Sequence, residues 1–284
     1  MGTQSAGDPA QRSTTPLDRA LCPLPPDERQ IAEGDDTWKH YGVRPDWTDL
    51  EGYFRAFERA RPAINLGTLV GAGGIRDQVV GKENRPATPE ELVQMEALVD
   101  TAMRQGAFGL STSLQYVPGR FASTPELVAL AKVAAKHGGV YFTHQRSEQR
   151  EISPSMDEVM TIAREAAIPT NIWHFKTACR ENWGRMPEML ARIAAARAGG
   201  LDVAANQYPW SAAANSLVAF CTDSPAGATD GKLAETVGTR ATYTDPNHYA
   251  DGIPYVAVNG QLVVDEGKLT AARPGQILRG PGYR

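Results

Sequence analysis

The chain has 284 residues, with 29 Lys and Arg against 33 Asp and Glu, and therefore a formal net charge of −4. This length suffices for one large α/β domain or two smaller ones. The slightly acidic balance disfavours a protein that binds nucleic acid or an anionic membrane through a basic surface. The three cysteines are scattered and do not suggest a disulfide framework, and the apolar runs are too short to span a bilayer. These properties predict a cytoplasmic globular protein.

Three regions differ in pattern along the chain. Residues 1–45 are rich in Pro, Gly, Asp, Ser and Thr, and we predict a flexible leader there. In residues 46–235 amphipathic helices alternate with short apolar strands, which predicts a parallel sheet with helical crossovers. Residues 236–284 are predicted to be a C-terminal β appendage, because 253–269 reads as a hairpin with Asn259-Gly260 at a type I′ turn.

The middle region has the pattern of a repeating unit in which a strand follows each helix. Thr88 and Glu91 form a predicted capping box, and Ser155 with Glu158 forms a second capping pair. About six strands are expected, which is fewer than the eight of a closed barrel. The helices are predicted at 49–60, 88–106, 123–139, 155–168 and 185–200, and the strands at 62–71, 107–112, 140–144, 169–175, 201–210 and 216–223.

Two histidines stand at the ends of successive predicted strands. His144 closes VYFTH, and His174 follows the apolar run NIW. The carboxyl ends of parallel strands lie at one edge of a sheet, so we expect the two side chains to converge there. Neutral imidazole is a common zinc ligand. One such histidine would more often make ordinary hydrogen bonds, but a pair in register favours a divalent-metal site.

Other polar residues near these strand ends each allow two interpretations. Asp223 is either a metal ligand or general base, or a residue of an Asx-turn. Lys176 either binds a substrate carboxylate or is solvated. Tyr116 and Tyr208 either supply hydroxyl donors or pack in loops. Two arginines are further possible anion contacts, Arg120 and Arg146. The glycines of GAGGIR (71–76) do not match a nucleotide-binding GxGxxG, so nucleotide binding is not predicted.

Four segments of the chain resemble a known family. The spacing of THxRSE, IxHxK and NWGR is similar to that of the N-acyl-D-amino-acid deacylases, or D-aminoacylases, of the amidohydrolase superfamily. The resemblance implies a metal-dependent (β/α) TIM-barrel-type amidohydrolase fold with a small β-sandwich. It also implies hydrolysis of the amide bond of N-acyl-amino acids, with zinc-bound water as the nucleophile. The segments are 107–148, 168–210, 218–231 and 244–284.

The resemblance also implies roles for individual positions. His144 and His174 match the two strand-end metal ligands of the family, and Asp223 matches its general acid/base. Three further residues match positions that line the pocket for the acyl-amino-acid substrate and hold its carboxylate: Lys176, Tyr116 and Tyr208.

The sequence departs from the family pattern at several ligand positions. It has no HxH, Cys22 lies outside the context of the family's ligand cysteine, and Ala72 replaces the histidine of a VGHG-like turn. A Zn²⁺ site would therefore rest on two imidazoles and one carboxylate, with lowered affinity. Stretches that the family carries after NQYPW and after 233–235 are missing here, so we predict an incomplete barrel in a truncated member.

These departures leave two hypotheses open. The chain is either an active deacylase-like hydrolase, or a catalytically inactive amidohydrolase fragment that binds a small carboxylated ligand or pairs with a partner. The second hypothesis follows from the missing strands, because open sheet edges tend to pair with another chain. We expect a small-molecule ligand, neither nucleic acid nor membrane as a partner, and homo-oligomerisation through the open edges as one possible assembly.

Overall fold

The computed structural model describes residues 27–33, 39, 42, 44–207 and 255–284. The helices in these ranges are α1 (Glu28–Glu33), α2 (Leu50–Ala60), α3 (Ala72–Val79), α4 (Pro89–Arg104), α5 (Thr124–Lys136), α6 (Ile152–Ala166) and α7 (Met186–Ala198). The strands are β1 (Val70–Gly71), β2 (Gly109–Ser113), β3 (Val140–His144), β4 (Thr170–Ile172), β5 (Val203–Ala205), β6 (Val256–Val258), β7 (Gln261–Asp265) and β8 (Lys268–Leu269). Short 3-10 turns lie at Gly119–Phe121 and Arg180–Asn182.

Strands β1 to β5 form one sheet in which neighbours in sequence are neighbours in space. All four pairings are parallel, and the register places Thr112 opposite Thr143 and Thr143 opposite Ile172. Sequential order without reversal is the order of a β/α barrel, whereas a doubly wound sheet reverses direction at its switch point. The predicted α/β class is confirmed.

Local capping chemistry explains where α4 begins. The Thr88 hydroxyl accepts a hydrogen bond from Glu91 N (3.2 Å), and the Glu91 carboxylate accepts one from Thr88 N (2.7 Å). This reciprocal pair satisfies two amide groups that have no partner inside the helix, and Pro89 lacks the N–H that would need one. The predicted capping box is confirmed.

The second predicted capping pair is wrong. Helix α6 begins at Ile152, so Ser155 lies inside it, and the cap residue Glu151 makes no side-chain capping bond. The Ser155 hydroxyl accepts a hydrogen bond from Ser147 N (3.1 Å). Glu158 instead accepts from the guanidinium of Arg146. Both side chains are recruited by the loop after β3, which the sequence pattern of the helix does not show.

The first predicted strand is much shorter than expected. Of the range 62–71, only Val70–Gly71 is a strand, and the glycine-containing stretch that follows opens α3 at Ala72. This helix was missed because glycines weaken the helical signal. Its Arg76 is buried and donates from Nη1 to both carboxylate oxygens of Glu126 in α5, at 2.8 and 2.7 Å.

Two apolar clusters hold the helices to the sheet. The larger lies among α2 to α6 and strands β1 to β3, and the smaller lies among α6, α7, β4 and β5. Fully buried members of the first include Phe54, Met95, Leu110, Leu127 and Tyr141, and those of the second include Ile152, Met156, Ile172, Met189 and Val203. None of the helices within the described ranges is long and apolar enough to cross a membrane.

The C-terminal segment forms a small antiparallel sheet and then packs against the main body. Asn259 and Gly260 have φ of 47° and 78°, as a type I′ turn requires, so the predicted hairpin is confirmed. Strand β8 adds a third strand to it. Further on, Arg279 lies over the rings of Phe54 and Tyr283, at 4.3 and 4.6 Å from their centroids. The boundaries of the three predicted regions stay predictions.

Candidate metal centre

The ends of β3 and β4 bring two buried histidines into contact. His144 is the last residue of β3, and His174 follows the end of β4 by two residues. The distance from His144 Nδ1 to His174 Nε2 is 2.7 Å. Both residues are less than a tenth exposed. The structure thus brings together the pair that the sequence analysis singled out.

His174 adopts an unusual backbone conformation. Its φ is 39°, in the left-handed region, which costs a non-glycine residue on the order of 1–3 kcal/mol. Asn206, directly after β5, stabilises this conformation, because its Oδ1 accepts a hydrogen bond from His174 N at 2.7 Å. The backbone of Asn206 also bonds to Ile172 and Phe175. The sequence pattern indicates no role for Asn206, although this residue belongs to the NQYPW motif.

A buried carboxylate completes the cluster. The Oε1 atom of Glu148 lies 2.8 Å from His174 Nδ1 and 2.6 Å from Lys176 Nζ. Burial by itself would raise the pKa of Glu148, but the charge of Lys176 and the hydrogen bond with His174 outweigh it and lower the pKa to about 2. Glu148 closes the THQRSE stretch, and its place four residues after a strand-end histidine is the signal that could have identified it.

The donor set suits a divalent transition metal. One ligand atom from each of His144, Glu148 and His174 can be chosen so that all three lie within 4.8 Å of one another. Imidazole nitrogen and carboxylate oxygen are zinc ligands, and two nitrogen ligands of one tetrahedral zinc lie about 3.3 Å apart. The observed 2.7 Å between the histidines would therefore open by roughly half an ångström. The residues present fit a metal ion.

Tyr116 stands beside the histidine pair. Its ring centroid is 5.3 Å from that of His144. The loop that carries it is held by Arg146, which donates to the carbonyl oxygens of Arg120 and Ala122, at 2.8 Å each, and to Glu158. Arg146, a possible anion contact in the sequence analysis, is thus engaged by protein groups that shape the loop.

Lys176 lies next to the cluster and bonds within it. Its ammonium donates to Glu148 Oε1 and to the carbonyl oxygen of His174, the latter at 3.2 Å. The side chain is 23% exposed, so it reaches the surface of the site. The remaining two predicted residues, Asp223 and Tyr208, lie outside the described part of the chain, and their roles stay predictions.

Curated relatives match part of this chain. No family model matches the chain. An N-acyl-D-glutamate deacylase of Alcaligenes xylosoxydans xylosoxydans is 36% identical over 177 residues, which are 62% of this chain and 36% of the relative. An N-acyl-D-aspartate deacylase of the same organism is 33% identical over 201 residues, or 69% of this chain and 38% of the relative. The resemblance to the N-acyl-D-amino-acid deacylases is confirmed. The matches span little more than a third of these relatives' length.

Solved structures of deacylases have the same fold in this region. A D-aminoacylase described as defining a novel subset of amidohydrolases matches with a TM-score of 0.56 and 38% identity, over 58% of this chain and 35% of that one. The N-acyl-D-glutamate deacylase of Bordetella bronchiseptica, in complex with zinc and a phosphonate mimic of the tetrahedral intermediate, matches with a TM-score of 0.57 and 35% identity, over 59% and 35%. The described sheet is therefore part of a barrel-type amidohydrolase fold, as predicted.

Proposed function

We propose that this protein is a metal-dependent amidohydrolase that cleaves the amide bond of N-acyl-D-amino acids. The observation that carries the proposal is the pair of buried imidazole nitrogens 2.7 Å apart at the ends of two adjacent parallel strands. Deacylases that are 33% and 36% identical to this chain support the choice of reaction. Because the matches span little more than a third of those relatives, activity is a property to be tested on this chain.

His144 and His174 are the residues that would hold the ion, which we propose to be Zn²⁺. When bound, a divalent ion supplies activation of water as a nucleophile and polarisation of a carbonyl group. Asp223 is proposed as the general acid/base that takes a proton from the attacking water and delivers it to the leaving amine. The strand-end position of the histidines keeps both rings buried, which strengthens their electrostatic interaction with any cation.

Lys176 and Tyr116 are proposed to bind the carboxylate of the substrate, together with Tyr208. The ammonium of Lys176 lies at the partly exposed edge of the cluster, and the ring of Tyr116 flanks His144. An ammonium and a phenol hydroxyl are both hydrogen-bond donors to a carboxylate. Glu148 balances the charge of Lys176 in the absence of substrate.

Metal content tests the site directly. We expect about one zinc per chain in the purified wild-type protein by elemental analysis, and loss of the metal in His144→Ala and in His174→Ala. The matched control is His137→Ala, because His137 is a histidine bound to Asp100 at 2.7 Å near the opposite ends of the strands. This control should retain the metal. A metal-free wild-type protein would contradict the proposal and favour the inactive-fragment hypothesis.

Turnover tests the reaction class. We expect deacylation of at least one of N-acyl-D-glutamate, N-acyl-D-aspartate and an N-acyl-D-amino acid with an apolar side chain, with no comparable turnover of the L-enantiomers. Asp223→Asn should bind metal but lose activity. A metal-loaded protein that cleaves none of these substrates would refute the deacylase assignment.

Light scattering on the same sample would test the predicted homo-oligomer, and fractionation of cells would test the predicted cytoplasmic location.

A further inference from the structure

We propose that Glu148 is a positioning residue that orients His174 for the metal, and not a third metal ligand. In this role its carboxylate accepts the Nδ1–H of His174, which leaves the Nε2 lone pair directed at His144 and available to a metal. The metal-binding part of this inference rests on the proposed function, whereas the orientation of the ring can be tested without metal.

The contacts of Glu148 determine which nitrogen of His174 carries the proton. Glu148 Oε1 accepts a hydrogen bond from Lys176 Nζ at 2.6 Å, so this oxygen presents lone pairs to its neighbours. It lies 2.8 Å from His174 Nδ1. At that distance an unprotonated nitrogen would face the oxygen lone pair to lone pair, which is repulsive, so this contact favours the hydrogen on Nδ1. Lys176 Nζ lies farther from Nδ1, at 3.1 Å, and could donate only to an unprotonated Nδ1, whereas its shortest contact is with Oε1 at 2.6 Å.

A neutral imidazole with its hydrogen on Nδ1 has its lone pair on Nε2. In His174 this Nε2 is the atom 2.7 Å from His144 Nδ1. Without metal, His144 Nδ1 donates its hydrogen to that lone pair. To hold a metal through both nitrogens, His144 would have to take its other tautomer, in which Nδ1 also presents a lone pair. Glu148 therefore selects the tautomer of His174 that a metal needs.

The same geometry argues against Glu148 as a ligand of that ion. The two nitrogens of an imidazole ring point in divergent directions, so an oxygen hydrogen-bonded at Nδ1 lies on the far side of the ring from an ion at Nε2. The arrangement is that of a carboxylate–histidine–metal triad, in which the carboxylate fixes the ring and increases its basicity. A backbone hydrogen bond also holds Glu148 in this position, because its carbonyl oxygen accepts from Ala178 N at 2.8 Å. This bond links the loops after β3 and β4.

Nitrogen NMR of the chelator-treated, metal-free protein tests the orientation. Long-range ¹⁵N–¹H spectra should show His174 as the Nδ1–H tautomer in wild type and in Glu148→Gln, whose amide oxygen can still accept that hydrogen. Glu148→Ala should shift the population toward Nε2–H. The control is Glu158→Gln, since Glu158 is a nearby, partly buried carboxylate bound to Arg146. A wild-type protein with the hydrogen on Nε2 would overturn the inference.

Metal affinity separates an orienting carboxylate from a ligand. By chelator competition, Glu148→Ala should bind zinc about 10–100-fold more weakly than wild type, while Glu148→Gln and Glu158→Gln stay close to it. The visible spectrum of the Co²⁺-substituted Glu148→Gln protein should keep its wild-type intensity, because the coordination number is unchanged. Equal loss of metal in both Glu148 variants would show that Glu148 is a ligand. No loss in either variant would show that Glu148 has no influence on metal binding. Each of these results would overturn the inference. Failure of the proposed function would give a different result. The wild-type protein would then bind no metal, but the tautomer of His174 would still change in Glu148→Ala.

Discussion

The buried ion pair between Arg76 and Glu126 should be among the most costly polar contacts to break in this protein. The two side chains are 1% and 4% exposed, and one guanidinium nitrogen contacts both carboxylate oxygens, at 2.8 and 2.7 Å. Replacing Glu126 with Gln keeps the shape but leaves a buried guanidinium without a countercharge. Breaking such a pair costs about 3–5 kcal/mol. Two hydrogen bonds to charged groups, at roughly 1.5–3 kcal/mol each, lead to a similar figure.

The assay is urea denaturation, read as a shift in the midpoint at constant slope. The control is Glu91→Gln, because the Arg85–Glu91 pair has similar distances of 2.7 and 2.8 Å but is much more exposed. Gln also preserves the capping box at this position, so the control should lose far less stability. Equal and small losses in the two variants would refute the reasoning. The double variant Arg76→Met/Glu126→Leu should lose less than Glu126→Gln alone, because it removes both buried charges.

Two further predictions concern stability. Burial raises the pKa of Tyr141 from 10.0 to about 12, so its contribution to folding is complete below pH 10 and is lost as the pH rises from 10 to 12, by about 3 kcal/mol. Tyr141→Phe should lack this part of the alkaline loss of stability in a pH series of denaturation curves. Gly109→Ala should destabilise the fold by about 3 kcal/mol or more, because a Cβ would lie 1.9 Å from the carbonyl oxygen of Val140 in the neighbouring strand. Gly73 in α3 provides the control: an added Cβ there would meet no atom within 4 Å, so Gly73→Ala should be neutral or stabilising. Equal thermal midpoints for the two alanine variants would contradict the register of β2 and β3.

Local chemistry made some elements predictable from sequence. Strand β3 spans the predicted residues 140–144, and α4 begins at the capping box of Thr88 and Glu91. In both cases the signal lies within a few consecutive residues. Ser155 failed as a cap because its hydroxyl is used by the backbone of Ser147, a contact that forms only once the loop after β3 folds back.

The candidate site also has features that the sequence could predict and features that it could not. The sequence could predict that His144 and His174 converge, because parallel strands in sequential order must end at one edge of the sheet. It could not predict the left-handed backbone of His174, since the hydrogen bond that stabilises it comes from Asn206, 32 residues away. The position of Glu148 after His144 hinted at a place in the site, but its contact with His174 Nδ1 forms only in the tertiary structure.

The amino-acid sequence by itself therefore determined the alternation of helices and strands, the α/β class and the pair of strand-end histidines. These features follow from the periodicity of apolar residues and from the order of elements along the chain, and both can be read directly from the sequence. Only the tertiary structure decided which carboxylate contacts which nitrogen, and it paired Glu148 with His174 and Lys176 at 2.8 and 2.6 Å. Hydrogen bonds depend on distances of a few tenths of an ångström between residues far apart in the chain, and packing alone sets those distances.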